Sequence, residues 1–201
     1  MFLIDNRFPD FSLEVYHPET DEEGMLSLDD VFADSSCEFL VLFFYPADFT
    51  YICPTELADL ARRAEDFKKY HARVVVVSTD TVYTHKAWLE HEKALKQVTY
   101  AMAADHNGKL SRELGIYGEQ RGLAQRATFV VDRQKMLRAV DIVSDNIGRS
   151  AGELLRKVKA LSFVAHNPGQ VCPASWDEGA ATLTPSIKIA GKVGEQAGMG
   201  E

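Results

Sequence analysis

The chain has 201 residues, 46% hydrophobic and 26% charged, enough to bury a full core in one domain with additions. Its 22 basic and 30 acidic residues give a net charge of −8 without a basic stripe or a block of like charge, which argues against nucleic acid as a partner. The opening "MFLIDNRFPDFSLEV" sets Asp5 inside its only apolar stretch, with no basic leader before an apolar core, and no later run reaches membrane-spanning length; the expectation is a cytoplasmic protein with no membrane partner.

In chain order, "FSLEVYH" and "MLSLDDVF" read as a small hairpin or an edge strand. "EFLVLFFYP" and "ARVVVVSTD" are too apolar to leave one face in water, so both read as central buried strands. Between them, "PTELADLARRAEDFKKY" places Leu57, Leu60, Ala61, Ala64 and Phe67 at helical spacing, with Pro54 tolerated in the first turn, and predicts one helix. "TVYTHKAWLEHEKAL" reads as a second helix, "VTYAMAAD" as a strand and "GKLSRELG" as a short helix stopped by Gly115. "RATFVVDRQKMLRAVDIV" reads as two strands joined by a turn near Asp132 to Lys135, and "RSAGELLRKVKALSFVAHN" as a long helix. This order implies an α/β fold with a mixed sheet flanked by helices. From Pro168 onward the chain is rich in Gly, Ala, Pro and Ser and loses its periodicity, so it reads as a C-terminal arm. Val171, Trp176, Leu183, Ile187 and Ile189 in that arm need cover, and a neighbouring subunit is the expected cover.

The three cysteines, Cys37, Cys53 and Cys172, are too few for a disulfide framework and lack the paired spacing of zinc ligands. Nor do the six histidines suggest a metal; His85 and His91, six apart, fall on different helix faces. With no phosphate loop, dinucleotide fingerprint or G-x-S-x-G elbow, the expectation is no bound metal or cofactor and an electron donor on another protein. Cys53 follows a buried strand and opens a helix, where backbone N–H groups and the positive helix end favour a thiolate. Thr50 is placed either to cap that helix or to offer its hydroxyl to the sulfur or to a substrate oxygen. Pro46 ends the strand and Pro54 stiffens the turn, which lets the loop hold the sulfur in a pocket that limits water. The competing reading is a buried, inert thiol, because free cysteines are among the most buried residues. The strand-to-helix position with Thr50 and two prolines favours a reactive one.

The run "PADFTYIC", from Pro46 to Cys53, matches the Pro-x-x-x-Thr-x-x-Cys motif of peroxiredoxins, and "FYPADFTYICPTEL" resembles their typical two-cysteine subgroup. "VVVVSTDTVYTHKAW", "GLAQRATFVVD", "IGRSAGELLRKVKA" and "GQVCPASWDEGAATLTPSI" are similar, in the same order, to the group forming the peroxidase component of bacterial alkyl hydroperoxide reductases. The resemblance implies a thioredoxin-like fold over residues 1–166 and an arm over residues 167–201. It implies a thiol-dependent peroxidase that reduces hydrogen peroxide and alkyl hydroperoxides in antioxidant defence. Carried over by residue, it makes Cys53 the peroxidatic cysteine, Thr50 a hydrogen-bond partner of the peroxide and Pro46 the shield of the sulfenic acid. Arg126, in "AQRATF", would stabilise the thiolate and the departing oxygen, and Glu56 would orient that arginine. Cys172 would be the resolving cysteine, whose disulfide with Cys53 joins two subunits. The implied assembly is a homodimer and then a ring of five dimers. The disulfide would be reopened by an external reductase, either a flavoprotein partner or thioredoxin. Cys37 matches no catalytic position and reads as structural.

Easily overoxidised relatives carry a Gly-Gly-Leu-Gly insertion and a terminal Tyr-Phe pair; here "LKQVTYAM" has no insertion and "IAGKVGEQAGMGE" no such pair. The expectation is an arm that releases easily, so that sulfinic acid forms only in large peroxide excess. "GIYGEQRGLAQR" also departs from enteric-type sequences in the loop before Arg126. A holdase chaperone is a second reading, recognisable by aggregation suppression that survives Cys53→Ser. A thiol–disulfide oxidoreductase would need two cysteines in one loop, and a peroxide sensor would use the same chemistry as the peroxidase.

Overall fold

A computed structural model describes residues 4–196; residues 1–3 and 197–201 lie outside it, including the last part of the terminal run without Tyr-Phe. Strands β1 (Ser12–His17) and β2 (Glu22–Ser27) form an antiparallel hairpin. "MLSLDDVF" is half strand and half helix, because Ser27 ends β2 and caps α1 (Leu28–Ala33). Its hydroxyl accepts from Asp30 N at 3.1 Å while Asp30 Oδ2 accepts from Ser27 N at 2.9 Å, a reciprocal capping box.

The next strand, β3 (Phe39–Phe44), is buried along its whole length. It leads through a loop to α2 (Cys53–Arg62) and α3 (Ala64–Lys69), then to β4 (Ala72–Ser78) and α4 (Val82–His91). β5 (Ala101–Ala104), α5 (Lys109–Glu113) and the short pair β6 (Tyr117–Gly118) and β7 (Leu123–Ala124) follow. β8 (Arg126–Asp132), β9 (Leu137–Val143) and α6 (Ala151–His166) complete the domain.

Among the described residues the main sheet has seven strands in the order β2-β1-β5-β4-β3-β8-β9. β3, β4 and β5 run parallel, and β1 and β8 pair antiparallel on either side of them. The mixed sheet flanked by helices expected from the sequence is the observed fold. β3 shows why its sequence has no polar alternation. Leu40, Leu42 and Phe44 pack into one core, with Phe8 and Phe129, while Phe39, Val41 and Phe43 pack into the other, with Leu57, Leu60, Trp88 and Val158. Burying each such side chain contributes about 1.5–3 kcal/mol.

Two helices depart from the sequence reading. The helix expected from Pro54 to Tyr70 breaks at Arg63, whose N–H bonds Leu60 O at 3.0 Å; this tightening to i→i−3 starts a new axis that drives Phe67 fully into the core. The helix expected to reach Leu95 stops at His91 and closes with a 3₁₀ turn, Lys93–Leu95. The hairpin read near the start of the chain is present: β5 pairs with the other side of β1 and leaves the polar β2 as the edge.

The arm finds part of its cover on its own subunit. Trp176 and Leu183 are buried, whereas Val171 and Ile187 remain exposed, Ile187 at 89%. Among the described residues no helix is long and apolar enough to cross a membrane.

Candidate active site

Cys53 is the first residue of α2, with Pro54 behind it in the first turn. Its residue exposure is 0%, and it belongs to the buried cluster that includes Tyr45, Leu57 and Val130. Thr50 does not cap this helix. The N-cap position is Ile52, which makes no side-chain cap bond, and Thr50 Oγ1 donates to Ala47 O at 2.9 Å within the loop. Pro46 is buried in the same loop.

Arg126 reaches the sulfur from the neighbouring strand, because β8 lies antiparallel to β3 and begins where β3 ends. Its Nη1 donates to Cys53 Sγ at 3.2 Å and to Glu56 Oε2 at 2.7 Å, and its Nε to Asp145 O at 2.8 Å. Glu56, one helical turn beyond Cys53, is itself buried. Its second oxygen, Oε1, accepts from both the backbone N and the Nε of Arg149, each at 2.9 Å. Arg149 also donates to Thr128 Oγ1 at 3.0 Å and to Phe44 O at 2.8 Å, and its guanidinium stacks on Phe43 at 3.5 Å from the ring centroid.

Burial works against the charge on Arg126, but its bonds to Cys53 and Glu56 outweigh that cost and hold its pKa above the ordinary arginine value. For Arg149, burial prevails and lowers the value, with Glu56 opposing the shift. Together they form a chain of sulfur, guanidinium, carboxylate and second guanidinium, closed to water. Negative charge that develops on the sulfur or on an oxygen beside it meets a fixed cation that needs no reorganisation.

The structure thus joins Cys53, Arg126 and Glu56 through the Arg126 guanidinium and keeps Thr50 and Pro46 in the loop that precedes Cys53. Cys172 lies elsewhere, in the arm against α6, with Sγ 3.9 Å from Ala160 O, and all three cysteines are free thiols. Burial raises the pKa of Cys172, opposed by Arg156. Cys37 is buried and donates to Phe39 O at 3.4 Å.

Sequence reasoning did not single out Arg149. It stands just before Ser150, the N-cap of α6, and nothing in its spacing separates it from a solvated arginine. A faint signal is the preceding Gly148, where a Cβ would meet Ile52 Cγ2 at 3.2 Å; the loop passes that closely under α2. Among the described residues, no group of three or more His, Cys, Asp or Glu could hold a metal ion.

The family model described as AhpC/TSA matches residues 4–140. The chain belongs to the AhpC/TSA family. It is 49% identical over 160 residues to alkyl hydroperoxide reductase C of Escherichia coli (strain K12), covering 80% of this chain and 86% of the relative. With alkyl hydroperoxide reductase C of Staphylococcus aureus (strain Mu50 / ATCC 700699) it shares 40% over 193 residues, 96% of this chain and 100% of the relative. The crystal structure of Enterococcus faecalis AhpC superposes with a TM-score of 0.79 at 37% identity, over 86% of this chain and 100% of that one. Reduced Plasmodium vivax 2-Cys peroxiredoxin, 24% identical, shares the fold with a TM-score of 0.88 over 96% of this chain and 99% of its own. As an AhpC/TSA member with the thioredoxin-like fold of peroxiredoxins, this chain is a thiol-dependent peroxidase, an oxidoreductase of antioxidant defence.

Proposed function

We propose that Cys53 is the peroxidatic cysteine and that hydrogen peroxide and alkyl hydroperoxides are its substrates. The observation that carries this reading is Arg126, held by Glu56 and donating to the Cys53 sulfur at 3.2 Å. The Cys53 thiolate attacks one peroxide oxygen, the O–O bond breaks, and the other oxygen leaves with a proton as water or an alcohol. Sulfur is oxidised to sulfenic acid and the peroxide is reduced. Arg126 meets the charge on the departing oxygen, Thr50 hydrogen-bonds the peroxide, and Pro46 keeps water from the sulfenic acid.

Cys172 is the resolving cysteine. Its sulfur attacks the sulfenic acid on Cys53 of a second subunit and releases water, and an external disulfide reductase, a flavoprotein partner or thioredoxin, restores both thiols. On this reading residues 1–166 form the peroxidase domain and residues 167–201 the arm that delivers Cys172. The working unit is a homodimer, assembled as a ring of five in the cytoplasm.

A non-reducing gel tests the cycle. Fully reduced protein is treated with one equivalent of hydrogen peroxide beside Cys53→Ser and Cys172→Ser. The expected result is a disulfide dimer in the wild type and in neither variant; a wild type that stays monomeric with its peroxide unconsumed would sink the mechanism.

A further inference from the structure

A second buried polar group is anchored in the loop before Cys53. Tyr45 and His85 are fully buried and Asp48 nearly so. Tyr45 Oη donates to Asp48 Oδ1 at 2.6 Å, and His85 Nδ1 lies 2.7 Å from Asp48 Oδ2. His85 Nε2 lies 3.2 Å from Ala103 O, which ties the group to β5. The backbone N–H of Asp48 donates to Asp80 Oδ2 at 2.8 Å, and Asp80 in turn accepts from Ser78 Oγ. Burial and the neighbouring Asp48 carboxylate push the Tyr45 phenol well above its ordinary pKa, which keeps it a donor.

We propose that this Tyr45–Asp48–His85 network is a positioning device for the Thr50 hydroxyl in the peroxide step, a role that rests on the assignment of Thr50 to the peroxide. Three observations lead there. The surrounding core is apolar, and replacing a buried charged group by apolar side chains of similar volume is often neutral or stabilising, so stability is a weak reason for keeping this one. The network ends on the Ala47–Asp48 peptide, and the carbonyl oxygen of that peptide is the acceptor of the Thr50 hydroxyl proton. The next residue, Phe49, holds φ at +54°, a left-handed conformation that a bulky side chain adopts only where its surroundings over-determine it. Asp48 anchors one side of Phe49, and its ring rests on Trp88 at 6.2 Å between centroids.

The chemical consequence concerns which way Thr50 can bond. With its proton committed to Ala47 O, Thr50 Oγ1 presents only lone pairs to the pocket and accepts from the O–H of an incoming peroxide. That fixes the peroxide oxygens relative to the sulfur. Loosening Asp48 frees the Ala47 carbonyl, lets the hydroxyl rotate and blurs this alignment. Misplacement of a reacting group by about 1 Å costs up to roughly a hundredfold in rate.

The test measures stopped-flow oxidation of Cys53 by hydrogen peroxide in full-length reduced protein, for Asp48→Asn and His85→Gln, each alone and combined with Thr50→Val. Asp48→Asn keeps the size of the side chain, so it carries the test if His85→Gln does not fold. Alkylation of reduced Cys53 by iodoacetamide is the control, because it needs the sulfur but not Thr50. The expected result is about a tenfold or larger fall in the peroxide rate with alkylation changed less than about twofold, and little additional loss when Thr50 is already Val. Parallel falls in both rates, or losses that add in full to Thr50→Val, would overturn the positioning role while leaving Cys53 as the reacting thiol. A wild type whose peroxide consumption leaves Cys53 reduced would overturn the site assignment and this role with it.

Discussion

Glu56 holds two guanidiniums on one carboxylate: Oε1 accepts from Arg149, and Oε2 accepts from Arg126 at 2.7 Å and from Arg149 Nη2 at 3.4 Å. This explains why the first turn of α2 carries a glutamate that sees no water. In Glu56→Gln the side chain keeps its size but loses its charge, leaving Arg126 and Arg149 buried against each other. Breaking a buried ion pair from one side costs about 3–5 kcal/mol. We expect a loss of about that size in denaturant-induced unfolding, together with a slower reaction of Cys53 with peroxide. Stability within about 0.5 kcal/mol of wild type would mean that the two arginines are neutralised by something other than Glu56.

The arm is held as an element, by small contacts spread along α3 and α6. Trp176 packs on Phe163 at 5.0 Å between centroids, and its Nε1 donates to Ala180 O at 3.1 Å. Arg156 donates to Trp176 O at 3.2 Å, Lys159 to Asp177 Oδ1 at 2.8 Å, and Tyr70 and Lys69 to Glu178. The bond from Lys159 holds Asp177 below the ordinary carboxylate range, and the bond from Tyr70 does the same for Glu178. A depressed folded-state pKa contributes stability above the unfolded value and loses it as pH falls through the folded one. Arm docking is therefore expected to weaken in acid, below the ordinary carboxylate range, with residues 171–183 cut by pepsin ahead of the domain. At neutral pH, Asp177→Asn with Glu178→Gln should raise deuterium uptake in the same segment. Unchanged uptake would assign the docking to Trp176 alone.

At the scale of the molecule, the two cysteines of the proposed cycle sit on different bodies. Cys53 is locked in the core at the β3 to α2 junction, and Cys172 rests on α6. Cys53 has no exposed surface, so on the proposed cycle the first turn of α2 opens to admit a second sulfur and the arm releases Cys172 from α6. The ion pairs to Glu178 and Asp177 end on exposed carboxylates and each contributes little, so releasing the arm costs mainly the burial of Trp176 and Leu183. At one equivalent of peroxide, intact mass should show the loss of two hydrogens per disulfide. A gain of two oxygens on Cys53, the sulfinic acid, should require large peroxide excess. That gain at stoichiometric peroxide would mean that the arm opens too slowly to compete.

The strands were legible because a strand buried on both faces must be apolar at every position, and β3 and β4 have no other way to read. Cys53 was legible because local chemistry marks it: a strand, a turn with two prolines and a helix start, all within one short run. Helix ends were less so, since the break at Arg63 depends on where Phe67 finds room in the core, which no local spacing encodes. Only the tertiary structure decided what surrounds the sulfur. Arg126, Arg149, Asp48 and His85 are far apart in sequence and become neighbours through the antiparallel docking of β8 on β3 and the packing of α4 over the sheet. The same is true of Thr50, whose sequence position suits either a helix cap or a bond to the sulfur or a substrate oxygen. The folded loop settles it on Ala47, because the anchored Asp48 holds that carbonyl in reach.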